Sequence, residues 1–345
     1  VHPTLAYPRC SAASTAVPPR RIGFPSAGAR GSSARVPAPS LPALARIRRA
    51  IMRVALHYLA LTTLPAFIRS SMQSFSASPT YLLSSLVKNR RLMLDLARRD
   101  AVGRYKGSAL GVLWSMLTPL LMLSVYTFVF SGVFKSRWGN GPSSGSHGEF
   151  AVVLFAGMIM FNVFSECINR APSLVLGNTN FVKKILFPLE ILPCVSLLSA
   201  LFHASVSIAI LLVAEFLIQG SVPLTALLLP IVLLPLSVLI LGLAWLLSAT
   251  GVYLRDIGQT IGIGVTALMF LSPIFFPVSS LPPTFRALVY WNPLTFPIEQ
   301  SRNVLIWGKP IDWASWFAYF GISLVIAWLG FAWFQKTRKG FADVL

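Results

Sequence analysis

Side chains able to do acid–base, nucleophilic or metal chemistry are few in this chain and far apart. The four His (His2, His57, His147, His203) and three Cys (Cys10, Cys167, Cys194) fall at no metal-ligand spacing. No G-x-x-x-x-G-K-[ST], H-E-x-x-H or C-x-x-C occurs. Within apolar segments the ionisable residues are Glu166, Glu190, His203 and Glu215. The three Glu lie near segment ends, where water or headgroups can solvate them, and only His203 sits well inside, where a hydrogen bond to a neighbouring helix is the expected role. The reading is therefore no catalytic residue, no metal site and no enzyme, with Cys167 and Cys194 as inert small hydrophobes. A proton-coupled carrier would carry more buried ionisable groups.

The elements that position these residues follow from composition. Of 345 residues, 55% are hydrophobic and 11% charged, and the mean hydropathy is +0.71; a soluble domain carries roughly a quarter charged residues. Backbone groups left unsatisfied in hydrocarbon are costly, so a membrane is crossed by helices of about 20 apolar residues. Segments of that kind fall at 109–134, 150–168, 191–218, 222–253, 257–278 and 313–334, which predicts six transmembrane helices. Pro223, Pro230 and Pro235 predict a tilted or kinked fourth span.

The charge of +19 invites a nucleic-acid reading, but its placement argues against one. Residues 1–71 hold ten Arg, no Lys and no acid, while 72–345 hold 19 Lys and Arg against ten acids. Fourteen of these basic residues flank the spans on one side: Lys88, Arg90, Arg91, Arg98, Arg99, Arg104, Lys106, Arg170, Lys183, Lys184, Arg255, Lys336, Arg338 and Lys339. The other side has five: Lys135, Arg137, Arg286, Arg302 and Lys309. The positive-inside rule then places both termini in the cytoplasm.

Residues 1–71 are rich in Pro, Ser, Ala and Arg without apolar period and read as a disordered leader, with Met52 and Met72 as alternative starts. Residues 46–78 also have the form of a signal peptide, and an acid-free, Arg-rich leader fits an organelle transit peptide. Cleavage after 78 would put the Lys88–Lys106 cluster outside, against the charge rule.

Between Tyr81 and Lys106, at 100° per residue, Leu82, Leu83, Leu86, Met93, Leu94, Leu96 and Ala97 gather on one face, and Lys88, Arg91, Asp95, Arg98 and Arg99 on the other. This predicts one amphipathic helix at the cytoplasmic membrane surface, with Asp95–Arg99 and Asp100–Arg104 as i,i+4 pairs. Gly107 with Gly111, and Gly258 with Gly262, form G-x-x-x-G pairs at the mouths of spans one and five, and predict that those spans pack there, within a chain or across a dimer.

The segments "RRDAVGRYKGSALGVLWSMLTPLLMLSVYTFVFSGVF" (98–134), "FVKKILFPLEILP" (181–193), "VYLRDIG" (252–258), "SPIFFPVSSLP" (272–282), "YWNPLTFPIEQSRNVLIWG" (290–308) and "KTRKGFADVL" (336–345) together resemble the ABC-2 type permeases that export polysaccharides. The likeness is closest to the O-antigen (lipopolysaccharide) branch and covers about residues 75–345. It implies an all-α, six-span domain at 108–345, preceded by an interface-helix region at 72–107 and carrying short external gate helices between spans five and six. It further implies a homodimer in the bacterial inner membrane, moving a polyprenyl-diphosphate-linked polysaccharide outward, with ATP and Mg held by separate nucleotide-binding subunits and no cofactor on this chain.

Under that resemblance the loop 170–188 looks like the helix that seats in the ATPase, with Lys183, Lys184 and Phe187 in contact and Pro188 ending it. Arg255 and Asp256 form either a second contact or a pair with each other. Trp114, Tyr290, Trp291, Phe296 and Trp307 are the candidate sugar-stacking residues of the passage, against the plainer role of interfacial aromatics. The alternatives are an ABC-2 exporter of a lipid or drug, and an integral membrane enzyme acting on lipid-linked sugars, which would want more carboxylates at one face than occur here.

Overall fold

The computed structural model describes residues 78–133, 147–182 and 187–345. The leader, the loop after span one, and Lys183 with Lys184 lie outside the described residues. Ser74–Leu345 form one compact unit. Among the described residues every regular element is helical.

The amphipathic segment is two helices, α1 (Pro79–Lys88) and α2 (Arg90–Gly103). The expected single helix breaks at Asn89, at φ −98° and ψ 13°, where the side-chain amide donates to the Ser85 carbonyl at 2.8 Å. An Asn side chain that bonds nearby backbone competes with helix propagation. The apolar stripe serves the protein interior: Ala97 and Ala101 are buried, and Leu82, Leu86 and Met93 pack against the buried cluster that includes Val175, Leu189, Trp245 and Phe331, while Leu83 and Leu94 stay exposed.

After α2 the chain turns through Gly107 and Gly111, both at positive φ (89° and 51°), a region that side chains with a Cβ rarely enter. Span one follows as α3 (Trp114–Tyr126), with Pro119 inside it and a π-helical continuation, Thr127–Val133. Then come α4 (His147–Arg170), the short α5 (Thr179–Val182), α6 (Ile191–Gln219) and α7 (Leu229–Tyr253). The chain ends with α8 (Ile257–Leu271), α9 (Pro283–Trp291), α10 (Thr295–Leu305), α11 (Trp313–Thr337) and α12 (Phe341–Val344).

Among the described residues five helices are long and apolar enough to cross a membrane: Gly111–Phe130, Glu149–Ser173, Ile191–Gln219, Leu224–Tyr253 and Trp313–Gly340. The expected span at 257–278 is helical only over its first 15 residues, α8. At 1.5 Å per residue that is about 22 Å, short of a hydrocarbon core of roughly 30 Å. The helix stops because Ser272 is extended and Pro273 follows.

The core is built around α4, whose Val153, Leu154, Ala156 and Met160 have no exposure. The closest backbone approach joins α7 and α11. A Cβ added at Gly330 would fall on the Gly242 carbonyl, and one added at Gly242 would lie 2.6 Å from the Ala327 Cα. Span one is the least enclosed, with Met116, Leu120, Leu121, Val125 and Phe128 exposed.

The bundle has two chemically different ends. At the basic end meet α1, α2, the C-terminus of α4, the N-terminus of α6, the α7–α8 turn and the C-terminus of α11. At the opposite end meet the N-terminus of α4, the α6–α7 connection, and α9 and α10. There the Thr225 hydroxyl donates to the Val304 carbonyl at 2.7 Å and the Tyr319 hydroxyl to the Pro293 carbonyl at 2.9 Å.

Candidate functional site

At the basic end the organising residue is Glu190, one residue before α6. Its carboxylate is buried; Oε1 accepts from the Ser85 hydroxyl at 2.8 Å and the Tyr81 hydroxyl at 3.5 Å, and Oε2 from the Arg338 guanidinium at 2.6 Å. Its carbonyl accepts from Trp245 Nε1 at 2.9 Å. Arg338 also donates to the Phe187 carbonyl at 3.0 Å, so one cluster ties α1, the strap leading into α6, α7 and the end of α11. Burial, together with the Glu190 charge, raises the Tyr81 hydroxyl above its ordinary pKa, so it remains a donor.

A second cluster anchors α2. Arg170 grips Asp100 with two hydrogen bonds, 2.8 and 2.9 Å. Arg104 pairs with Glu166 and lies 3.8 Å from Asp100. Burial alone would raise the Asp100 carboxyl, but the hydrogen bond from Arg170 and the charges of Arg170 and Arg104 together hold it below the usual range. Beside this cluster a cavity of about 300 Å³ opens between α3, α4 and α6, lined among others by Tyr105, Ser115, Asn162 and His203. The Tyr105 hydroxyl stands 3.4 Å from His203 Nδ1.

These contacts correct the expected solvation of the intramembrane acids. Glu190 is enclosed and ion-paired, and Glu166 is paired with Arg104. Glu215 is buried with neither carboxylate oxygen bonded to a described residue. Of the two expected i,i+4 pairs, Asp100–Arg104 forms; among the described ion pairs Asp95–Arg99 does not occur.

The sequence-selected residues fall as follows. Phe187 is half-buried and its ring stacks on Phe181 at 4.2 Å, with Pro188 beside it. Arg255 and Asp256 are exposed at the α7–α8 turn and form no ion pair with each other. At the opposite end Tyr290 and Trp307 line one cavity of about 390 Å³. Trp291 is 88% exposed. Phe296 packs into the core against Tyr319, with ring centroids 5.1 Å apart, and Trp114 lies half-buried at the start of α3.

Within the chain, Gly107, Gly111 and Gly262 have open space where a side chain would be, and Gly258 meets only the Pro172 Cβ at 4.0 Å. The close helix contact falls on Gly242 and Gly330 instead. No G-x-x-x-G spacing marks either of them, because each helix brings a single glycine to the contact.

Sequence reasoning also missed Arg302, which had counted only as an outer-side charge. It is 1% exposed and donates from Nε to the Val153 carbonyl at 2.9 Å, from Nη1 to Pro273 at 2.6 Å and from Nη2 to Ile274 at 2.8 Å. It thereby joins α10, α4 and the strap after α8. Its partners are backbone atoms, which leave no residue signature. Among the described residues no three His, Cys, Asp or Glu converge as a metal site.

The sequence profile of the family described as "ABC-2 type transporter" matches residues 92–306. The O-antigen export system permease protein RfbA of Klebsiella pneumoniae is 24% identical over 257 residues, 74% of this chain and 95% of the relative. Its namesake from Myxococcus xanthus is 25% identical over 264 residues, 76% of this chain and 98% of the relative. The polysialic acid transport protein KpsM of Escherichia coli is 24% identical over 246 residues, 70% of this chain and 91% of the relative.

Proposed function

The chain belongs to the ABC-2 type transporter family, and from that premise we propose that it is the permease subunit of an ATP-driven exporter of polyprenyl-diphosphate-linked polysaccharide. Two copies enclose the passage in the bacterial inner membrane, and separate nucleotide-binding subunits hold ATP and Mg at the basic, cytoplasmic end. Both termini are cytoplasmic. The sixth crossing is α8 with the strap 272–278, α1 and α2 are the interface helices, and α9 and α10 are the external gate helices. Support for the cargo class comes from relatives that cover nearly their whole length.

The observation that carries the reading is the Glu190 cluster. It fastens α1, the strap behind the loop 170–188 and the C-terminal end of α11 into one plate around the loop that would seat in the ATPase. A push on Phe187 is delivered to three elements at once, since Arg338 holds both the Phe187 carbonyl and Glu190. Lys183, Lys184, Phe187 and Pro188 form the primary contact, and the exposed Arg255–Asp256 turn a second. The sparsely enclosed faces of α3 and α8 are where the second copy and the passage lie, with Gly107, Gly111, Gly258 and Gly262 allowing close approach between copies and Trp114 at the entrance.

Co-expression with the candidate ATPase, followed by purification in mild detergent, tests this. A 1:1 complex is expected, with vanadate-sensitive hydrolysis that falls at least tenfold on replacing Lys184 and Phe187 by Ala. Absence of any complex with the unsubstituted chain overturns the reading. A periplasmic reporter fused at residue 145 is expected to be active; a cytoplasmic readout overturns the orientation.

A further inference from the structure

We propose that the cavity between α9, α10 and the strap 277–280 is a saccharide subsite that holds a neutral, hydroxyl-rich unit of the exported chain at the exit side. The inference rests on the polysaccharide reading above and adds a defined place and a defined set of contacts to it.

The cavity measures about 390 Å³, within the range of roughly 300–1,000 Å³ that small-molecule sites occupy. Its lining combines aromatic surface with polar groups whose hydrogen bonds are unspent. Tyr290 and Trp307 supply the aromatic faces and both are partly exposed. Glu299 and Asn303 lie one helical turn apart on α10, so they share a face. Neither side chain, nor the Tyr290 hydroxyl, nor the Trp307 indole N–H, makes a hydrogen bond to a described residue. Polar groups elsewhere around α10 are committed, as with the Thr295 hydroxyl on the Val289 carbonyl at 2.5 Å and Arg302 on its three carbonyls.

The donor and acceptor inventory fits a sugar. Adjacent hydroxyls each need an acceptor for their proton and a donor for a lone pair. The Glu299 carboxylate supplies acceptors, the Asn303 amide both, and the indole N–H a donor. An apolar sugar face is satisfied by an aromatic ring. An anionic lipid headgroup fits less well. The cations in the lining are engaged on backbone: Arg286 donates to the Ser279 and Leu281 carbonyls, each at 2.7 Å, and Arg302 as described. Lys309 Nζ is held 5.7 Å from the centroid of the Trp307 ring, and a carboxylate already occupies the site.

The test uses the full chain with its ATPase in a strain whose surface polysaccharide depends on them. The photocrosslinking residue p-benzoylphenylalanine is placed in place of Asn303, or of Tyr290, and as a control in place of Phe317, exposed on α11 outside the cavity. Illumination of exporting cells is expected to shift the chain into glycan-stained high-mass species from positions 303 and 290 but not 317. With the crosslinker at 290, Glu299→Gln and Asn303→Ala together are expected to cut that yield at least fivefold, with unchanged membrane level and ATPase association. Export without glycan capture at either position overturns the subsite and leaves the permease reading standing. Capture of phospholipid alone overturns it in favour of a headgroup site. Failure of the unsubstituted chain to support export overturns the permease reading itself.

Discussion

Glu190 and Arg338 stand 148 residues apart in the chain and meet at 2.6 Å across a buried interface that also takes in Ser85 and Tyr81. A charge so placed is stable only while its partner remains, since removing one member leaves the other desolvated and unpaired.

Arg338→Ala is therefore expected to destabilise the purified chain by on the order of 3–5 kcal/mol, and Glu190→Ala by a similar amount. The double substitution Glu190→Gln with Arg338→Met is expected to recover most of the loss. Thermal unfolding in detergent, read as a double-mutant cycle, checks this; a coupling energy near zero would show that the pair is incidental.

Arg302 carries the opposite end in the same way, with backbone carbonyls as partners. Arg302→Ala orphans three buried acceptors and is expected to cost about 3 kcal/mol or more, with Arg302→Lys recovering less than half because an ammonium lacks the planar fork. Arg286→Ala, on the exposed face of α9, is the control and is expected to change stability by less than 1 kcal/mol. Equal losses at 286 and 302 would contradict the clamp.

Gly330→Leu is expected to abolish folding or cost well over 2 kcal/mol, because its side chain must displace the Gly242 backbone. Gly262→Leu meets open space within the chain, so protomer stability should hold while self-association weakens. Expression level and crosslinked dimer yield separate the two; a Gly262→Leu protein that dimerises normally removes Gly262 from the interface.

The Asp100 cluster makes α2 docking acid-sensitive. The folded-state pKa lies below the ordinary aspartate value, so the carboxylate's contribution is present above about pH 4 and is lost as pH falls through the lowered folded value. Protection factors across residues 90–103, with exchange taken relative to the intrinsic rate at each pH, are expected to fall on acidification in the parent. Asp100→Asn should exchange faster already at neutral pH and lose that acid-dependent step. Identical pH profiles would refute the assignment.

Local chemistry made the long helices legible. The apolar runs at 191–218 and 313–334 correspond to α6 and α11 within a few residues, because twenty apolar residues have few other solutions in a membrane. Proximity between distant residues was not legible. Glu190 reads as a segment-end acid until Arg338, Ser85 and Tyr81 are seen around it. The Asn89 break is visible only when its amide is seen bonded to Ser85. Of the aromatics chosen for the passage, Tyr290 and Trp307 share a cavity while Phe296 turns inward against Tyr319, a distinction invisible in residue type.

The contact of Gly242 with Gly330 also has mechanical meaning. Two helices whose backbones touch can neither slide nor tilt without losing dispersion contacts along their length, and close-packed interiors resist compression. They act as a strut. Any flexing of the bundle then falls to span one and α8, and span one carries Pro119 within α3 and the π-turns of Thr127–Val133 beyond it, the points where a helix bends most readily. Stiffness on one side and compliance on the other let the bundle flex while its core stays folded.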